Sequence, residues 1–121
     1  MILADTSVWV RHLRGQDSAF EALLDVQEIV SHPFVVGELL CGNLRPDSPV
    51  LKRIRQIESL PKATEEEVIG LIRFRRLMGR GVGYLDVHLV ASVLITGATS
   101  LWSLDNRLAA VADELGIRFE P

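Results

Sequence analysis

The chain has 121 residues, 48% hydrophobic and 24% charged, which predicts one soluble globular domain spanning 1–121 and leaves little room for a second. Nine glycines and five prolines exclude a collagen-like or low-complexity chain, and one cysteine, Cys41, excludes an intrachain disulfide and a multi-cysteine zinc site. The net charge of −3 argues against a protein that coats DNA, but not against a nucleic-acid enzyme, whose acidic metal centre would lower the total.

The opening Met-Ile-Leu-Ala-Asp is apolar but lacks a basic start, so it reads as a buried strand over 2–4 rather than a signal peptide. Ser18-Ala-Phe-Glu21 has a capping-box pattern and predicts a helix to about Val26. A short strand follows over 28–31. Pro33 then starts a helix through Leu40, stopped by Gly42. Ser48-Pro49 opens a helix to about Ser59, and the capping box Thr64-Glu-Glu-Glu67 opens one to about Met78. Gly79, Gly81 and Gly83 make a flexible break. Apolar spacing predicts a helix over 84–96, a strand over 100–104, a helix over 106–115 and a last strand over 117–119. Alternating strands and helices define an α/β fold with a central, mostly parallel sheet sandwiched by helices. The longest apolar run of the C-terminal half, Leu89 to Ile95, is far short of the roughly 20 residues a bilayer requires, so no membrane association is expected, and a cytoplasmic location fits.

Most of the 16 acidic residues have ordinary roles at helix starts or on solvated faces. Four lie inside apolar text: Asp5, Glu38, Asp86 and Asp105. Any one alone reads as easily as a cap or an ion pair, and Asp86 and Asp105 can each cap their own helix. Together they need joint compensation, because a buried unpaired carboxylate costs several kcal/mol. No neighbouring run of cations supplies it. A hard divalent ion would, and oxygen donors without a His or Cys cluster suit Mg²⁺ or Mn²⁺. Such an ion serves phosphate chemistry. Asp5 and Asp105 each follow a short apolar strand, which sets both at the carboxyl edge of the sheet, where sites form in α/β folds.

Four segments carry a resemblance: Leu3-Ala-Asp-Thr-Ser-Val-Trp9, Val36-Gly-Glu-Leu-Leu-Cys-Gly42, Gly83-Tyr-Leu-Asp-Val-His-Leu-Val-Ala-Ser92 and Leu101-Trp-Ser-Leu-Asp-Asn-Arg-Leu108. In this order and spacing the chain resembles, over essentially its whole length, the PIN-domain ribonucleases, and among them the VapC toxins of type II toxin–antitoxin pairs. The resemblance implies a PIN-like fold and a Mg²⁺- or Mn²⁺-dependent endoribonuclease. It implies Asp5 and Asp86 as direct metal ligands, and Glu38 and Asp105 as secondary or water-mediated ones. Ser7 matches the small polar residue that supports the first aspartate, and Ser103 stands where many relatives have Thr. A VapB-type antitoxin that covers the acidic pocket, an RNA substrate such as tRNA, and a homodimer are implied as well. The alternative is a PIN-fold RNA- or antitoxin-binding module with little or no nuclease activity.

Arginine makes up all the basic residues except Lys52 and Lys62, and Arg suits bidentate phosphate contacts. Arg73, Arg76 and especially Arg80, which leads toward Asp86, are candidates for RNA contact against the plainer reading of a solvated helix face. Trp9 and Trp102 read as core, Cys41 as a core thiol, and His88 as a structural hydrogen-bonding residue. His12 and His32 give no signal. A receiver domain would require paired acids after the first strand, and a haloacid-dehalogenase-like phosphatase a second Asp two residues after the first; Thr6 and Ser7 stand there instead.

Overall fold

The computed structural model describes residues 1–15 and 17–121. Three strands, β1 (Ile2–Ala4), β2 (Ile29–Val30) and β3 (Ser100–Trp102), form a parallel sheet in the order β2-β1-β3. Leu3 of β1 faces Val30 on one side and Leu101 on the other. Successive strand residues point to opposite faces. Leu3 and Ala4 are both fully buried, so both faces of the sheet are covered. Single bridges widen the sheet at its edges: Ser59 lies beside Ser31, and Arg118 beside Leu101. The expected strand over 117–119 is thus reduced to one bridging residue, Arg118, whose neighbours make the bonds: the Leu101 N–H donates to the Ile117 carbonyl at 2.7 Å and the Phe119 N–H to the Leu101 carbonyl at 2.8 Å.

Parallel neighbours need crossover helices, and the described residues hold seven: α1 (Thr6–Gly15), α2 (Ser18–Asp25), α3 (Pro33–Leu40), α4 (Pro49–Gln56), α5 (Glu65–Phe74), α6 (Tyr84–Thr96) and α7 (Asn106–Glu114). Helix α1 has no counterpart in the sequence reading. Its Thr-Ser-Val-Trp-Val start is rich in weak helix formers. It forms because Asp5 caps it, accepting the Val8 N–H at 3.3 Å, and because Val8 and Trp9 are wholly buried. The Trp9 ring meets Phe20 edge-on at 4.8 Å, and Phe20 meets Trp102 at 5.8 Å, so both tryptophans are core.

Several helix ends differ from expectation. Asp17, not Ser18, caps α2, accepting from the Ala19 and Phe20 N–H groups. Ser48 makes no capping bond to α4. The Thr64–Glu67 capping box is formed with both bonds. Helix α5 ends four residues early, where Arg76 turns through a left-handed conformation (φ 54°). Helix α3 is capped by His32, whose Nδ1 accepts the Phe34 N–H at 3.0 Å. Cys41 is exposed at the end of that helix and is not a core thiol.

Candidate functional site

Each of the four carboxylates is set by its own element. Asp5 follows β1 and caps α1. Asp105 follows β3 and caps α7, accepting the Arg107 and Leu108 N–H groups at 2.9 and 3.1 Å. Asp86 lies in the first turn of α6 and accepts the Gly83 N–H at 3.4 Å. Glu38 lies on α3 and accepts the Thr6 hydroxyl at 2.8 Å, a contact that ties α3 to α1. Because β1 and β3 are parallel neighbours, Asp5 and Asp105 emerge at the same edge of the sheet. Three of the four acids sit at helix N-termini, where the helix dipole favours negative charge.

Burial is less even than four acids in apolar text suggested. Asp5 is only 5% exposed and Asp86 is half-buried, but Glu38 and Asp105 are exposed. Asp5 is accordingly the most heavily supported. The Ser7 hydroxyl donates to its Oδ1, and the Ser103 hydroxyl donates to its Oδ2 at 2.5 Å. The same two hydroxyls accept the Leu104 and Asp105 N–H groups, each at 3.0 Å. A carboxylate has about four acceptor positions. Ser7, Val8 and Ser103 fill three, which leaves one on Oδ2.

None of the four acids is in an ion pair among the described residues. Burial, foremost, pushes the Asp86 carboxyl above its ordinary value, and the charges of Asp5, Glu38 and Asp105 push the same way, against the Gly83 hydrogen bond. The four groups therefore act on one another at Asp86. No group of three or more His, Cys, Asp or Glu among the described residues is close enough to grip a metal ion by itself. That geometry, with all-oxygen donors and free acceptor capacity on Asp5 and Asp86, fits a hard ion held by one or two carboxylates and keeping several waters, as Mg²⁺ does.

The other expected residues fall as follows. The Arg80 guanidinium is engaged with Glu114 of α7 by two bonds of 3.1 and 2.7 Å. Arg73 lies in the last turn of α5 and Arg76 follows the helix, both exposed. The segment 79–83 lies outside helix and strand. Gly79 and Gly81 take positive φ, which favours glycine, and Arg80 pins the segment to α7. His88 is buried between Phe34 and Tyr84, edge-on at 4.8 and 4.7 Å, and its Nδ1 has no partner among the described residues. It packs rather than hydrogen-bonds through that atom. Two residues escaped the sequence reading: Thr6, which supports Glu38, and His32, which caps α3 and reaches Ser92 Oγ with Nε2 at 2.9 Å. The signal for Thr6 was its place between Asp5 and Ser7. His32, just before Pro33, stands where a capping residue is needed.

A PIN-domain family model matches residues 2–114, and the chain belongs to the PIN-domain family. Within that family it belongs with the VapC proteins. It is 41% identical over 117 residues to Ribonuclease VapC32 of Mycobacterium tuberculosis, in both the CDC 1551 / Oshkosh and the ATCC 25618 / H37Rv strains, covering 97% of this chain and 94% of that protein. Among solved structures, PAE2754 from Pyrobaculum aerophilum has the same fold, with a TM-score of 0.58 over 90% of this chain and 82% of that one at 19% identity. No helix is long and apolar enough to cross a membrane among the described residues.

Proposed function

We propose that this chain is the toxin of a type II toxin–antitoxin pair, a single catalytic domain over 1–121 that hydrolyses RNA phosphodiester bonds as a Mg²⁺- or Mn²⁺-dependent endoribonuclease. The observation that carries this reading is that four carboxylates from four elements, none in an ion pair among the described residues, lie near enough for three of them to act on Asp86. The ribonuclease name of the 41% identical relative supports it. Asp5 and Asp86 would hold the ion directly, and Glu38 and Asp105 through water. A bound divalent ion supplies an acidified water and charge stabilisation on the phosphodiester. The chain's own groups set the stage for it. Ser7 and Ser103 fix both oxygens of Asp5, Thr6 orients Glu38, and the Gly83 N–H orients Asp86. No side-chain nucleophile is required.

Two partners belong to this reading, in a cytoplasmic setting. A VapB-type antitoxin would dock in the apolar groove of about 390 Å³ lined by Pro33, Phe34, Gly37, Cys41 and Leu85, because Glu38 also lines it and a segment lying there would reach the acidic edge. A second copy of the chain would pack on the exposed apolar stripe formed by Gly70, Leu71 and Phe74 of α5 with Leu94 and Ile95 of α6, where Phe74 is 82% exposed.

The test is incubation of antitoxin-free protein with total RNA in Mg²⁺, Mn²⁺ or EDTA, with Asp86→Asn alongside. Discrete fragments that need the metal and vanish in the variant are expected. Folded, metal-loaded protein that leaves all RNA intact would replace the nuclease with the binding-module reading.

A further inference from the structure

The geometry points to Arg107 as the residue that positions the RNA phosphate chain at the acidic edge, on a seat made by Gly81; this rests on the ribonuclease reading above. Four carboxylates without a counter-charge repel a polyanion, so an RNA enzyme with this site needs a cation beside it. Arg80, nearest in sequence to the Asp86 helix, is held by Glu114. Arg107 is exposed, and among the described residues its guanidinium makes neither an ion pair nor a hydrogen bond.

Its backbone is held and its side chain rests beside the 79–83 loop. Its backbone N–H is bonded to Asp105 Oδ1 at 2.9 Å, which anchors it beside one carboxylate. Its side chain lies beside Gly81, five residues before Asp86. A Cβ at Gly81 would stand 2.6 Å from Arg107 Cδ and 2.8 Å from Nη1. Gly81 is favoured for its φ of +79°, and a side chain there would displace the Arg107 guanidinium from its place. The Arg80–Glu114 pair ties the same loop to α7. A planar guanidinium held with its donors unfilled matches a phosphodiester bidentately. Arg107 thus acts as a positioning residue that binds the backbone without reading the base.

The test is the affinity of fluorescently labelled bulk tRNA, measured by anisotropy in EDTA over a salt series, with metal-dependent cleavage followed separately. Arg107→Ala should raise Kd about fivefold to tenfold and reduce the steepness of log K against log salt by roughly 0.7 to 0.9, the share of one phosphate contact. Arg107→Lys should restore the slope but only part of the affinity. Gly81→Ala should weaken binding although the charge is retained. Arg53→Ala is the matched control. Arg53 lines a cavity with Met1 and Ile29 at the amino end of the sheet, and this variant should bind like wild type. Wild-type affinity and slope in folded Arg107→Ala would overturn the assignment. Wild-type protein that binds tRNA without cleaving it would sink the nuclease reading alone, since the Arg107 comparison would still stand. Protein that neither binds nor cleaves would overturn both.

Discussion

Ser103 and Asp5 stand 98 residues apart in sequence and 2.5 Å apart across a hydrogen bond. The Ser103 hydroxyl also accepts the Asp105 N–H, so one small side chain couples two of the four carboxylates. Replacing it with Ala takes a partner from a buried carboxylate oxygen, while the exposed Asp105 N–H turns to solvent. Ser103→Ala should cost about 2 kcal/mol in urea unfolding, and RNA cleavage should fall as Asp5 loses its orientation. Ser103→Thr keeps the hydroxyl and should unfold near the wild-type midpoint.

Asp86 makes the opposite prediction. Its carboxyl is raised by burial first and by its acidic neighbours next, so the folded chain holds that proton more tightly than the unfolded chain. In metal-free protein this contribution favours folding at pH below the ordinary carboxylate value and is lost as pH rises through the raised one. Asp86→Asn should therefore be more stable than wild type at neutral pH in EDTA, while losing cleavage and stabilisation by added Mg²⁺. Thermal unfolding with and without the ion separates the two effects.

His32 should govern the acid limb of stability. Burial foremost, and then the charges of His88 and Lys62, push it down from 6.5 to about 4. Its neutral form is required, because Nδ1 accepts the Phe34 N–H while Nε2 reaches Ser92. Between about 6.5 and about 4 the unfolded chain binds a proton that the folded chain refuses. Stability therefore falls as pH drops through that window, by roughly 3 kcal/mol in all, and is level above it. His32→Asn keeps a good capping acceptor. Its urea midpoint should be lower than wild type at pH 7 but nearly independent of pH across the window.

The proposed homodimer makes a charge-swap prediction. Helix α5 begins with Glu65, Glu66 and Glu67, ends at Arg73 and Phe74, and is followed by Arg75 and Arg76. Gly70 lies between, and a Cβ there would meet nothing within 4 Å, so another backbone can approach closely. Two copies of α5 packed antiparallel with the axis between Ile69 and Gly70 set Glu66 against the partner's Arg73. Glu66→Arg or Arg73→Glu alone should weaken the dimer roughly tenfold, and the double variant should regain it. Sedimentation over a concentration series reads this directly. Failure of the double variant to recover would place the interface elsewhere.

Local patterns made much of this protein legible from sequence. The Thr64–Glu67 capping box, Pro33 opening α3, and the helical spacing over 84–96 concern neighbours within one or two turns, and each element formed. Asp5 was legible as a buried charge, since charge inside apolar text is expensive, but Glu38 and Asp105, also set in apolar text, proved exposed. What the tertiary structure alone decided involves partners far apart in sequence. Helix α1 exists because Trp9 is packed by Phe20, against its weak propensity. Arg80 is engaged by Glu114, 34 residues away, while Arg107 lies uncommitted on Gly81. The edge strand over 117–119 shrank to a bridge, and Ser59 gained one. Propensity and charge are properties of the residue and its near neighbours. Which cation is neutralised, and which hydroxyl reaches Asp5, depends on contacts that exist only once the parallel sheet has brought β1 beside β3.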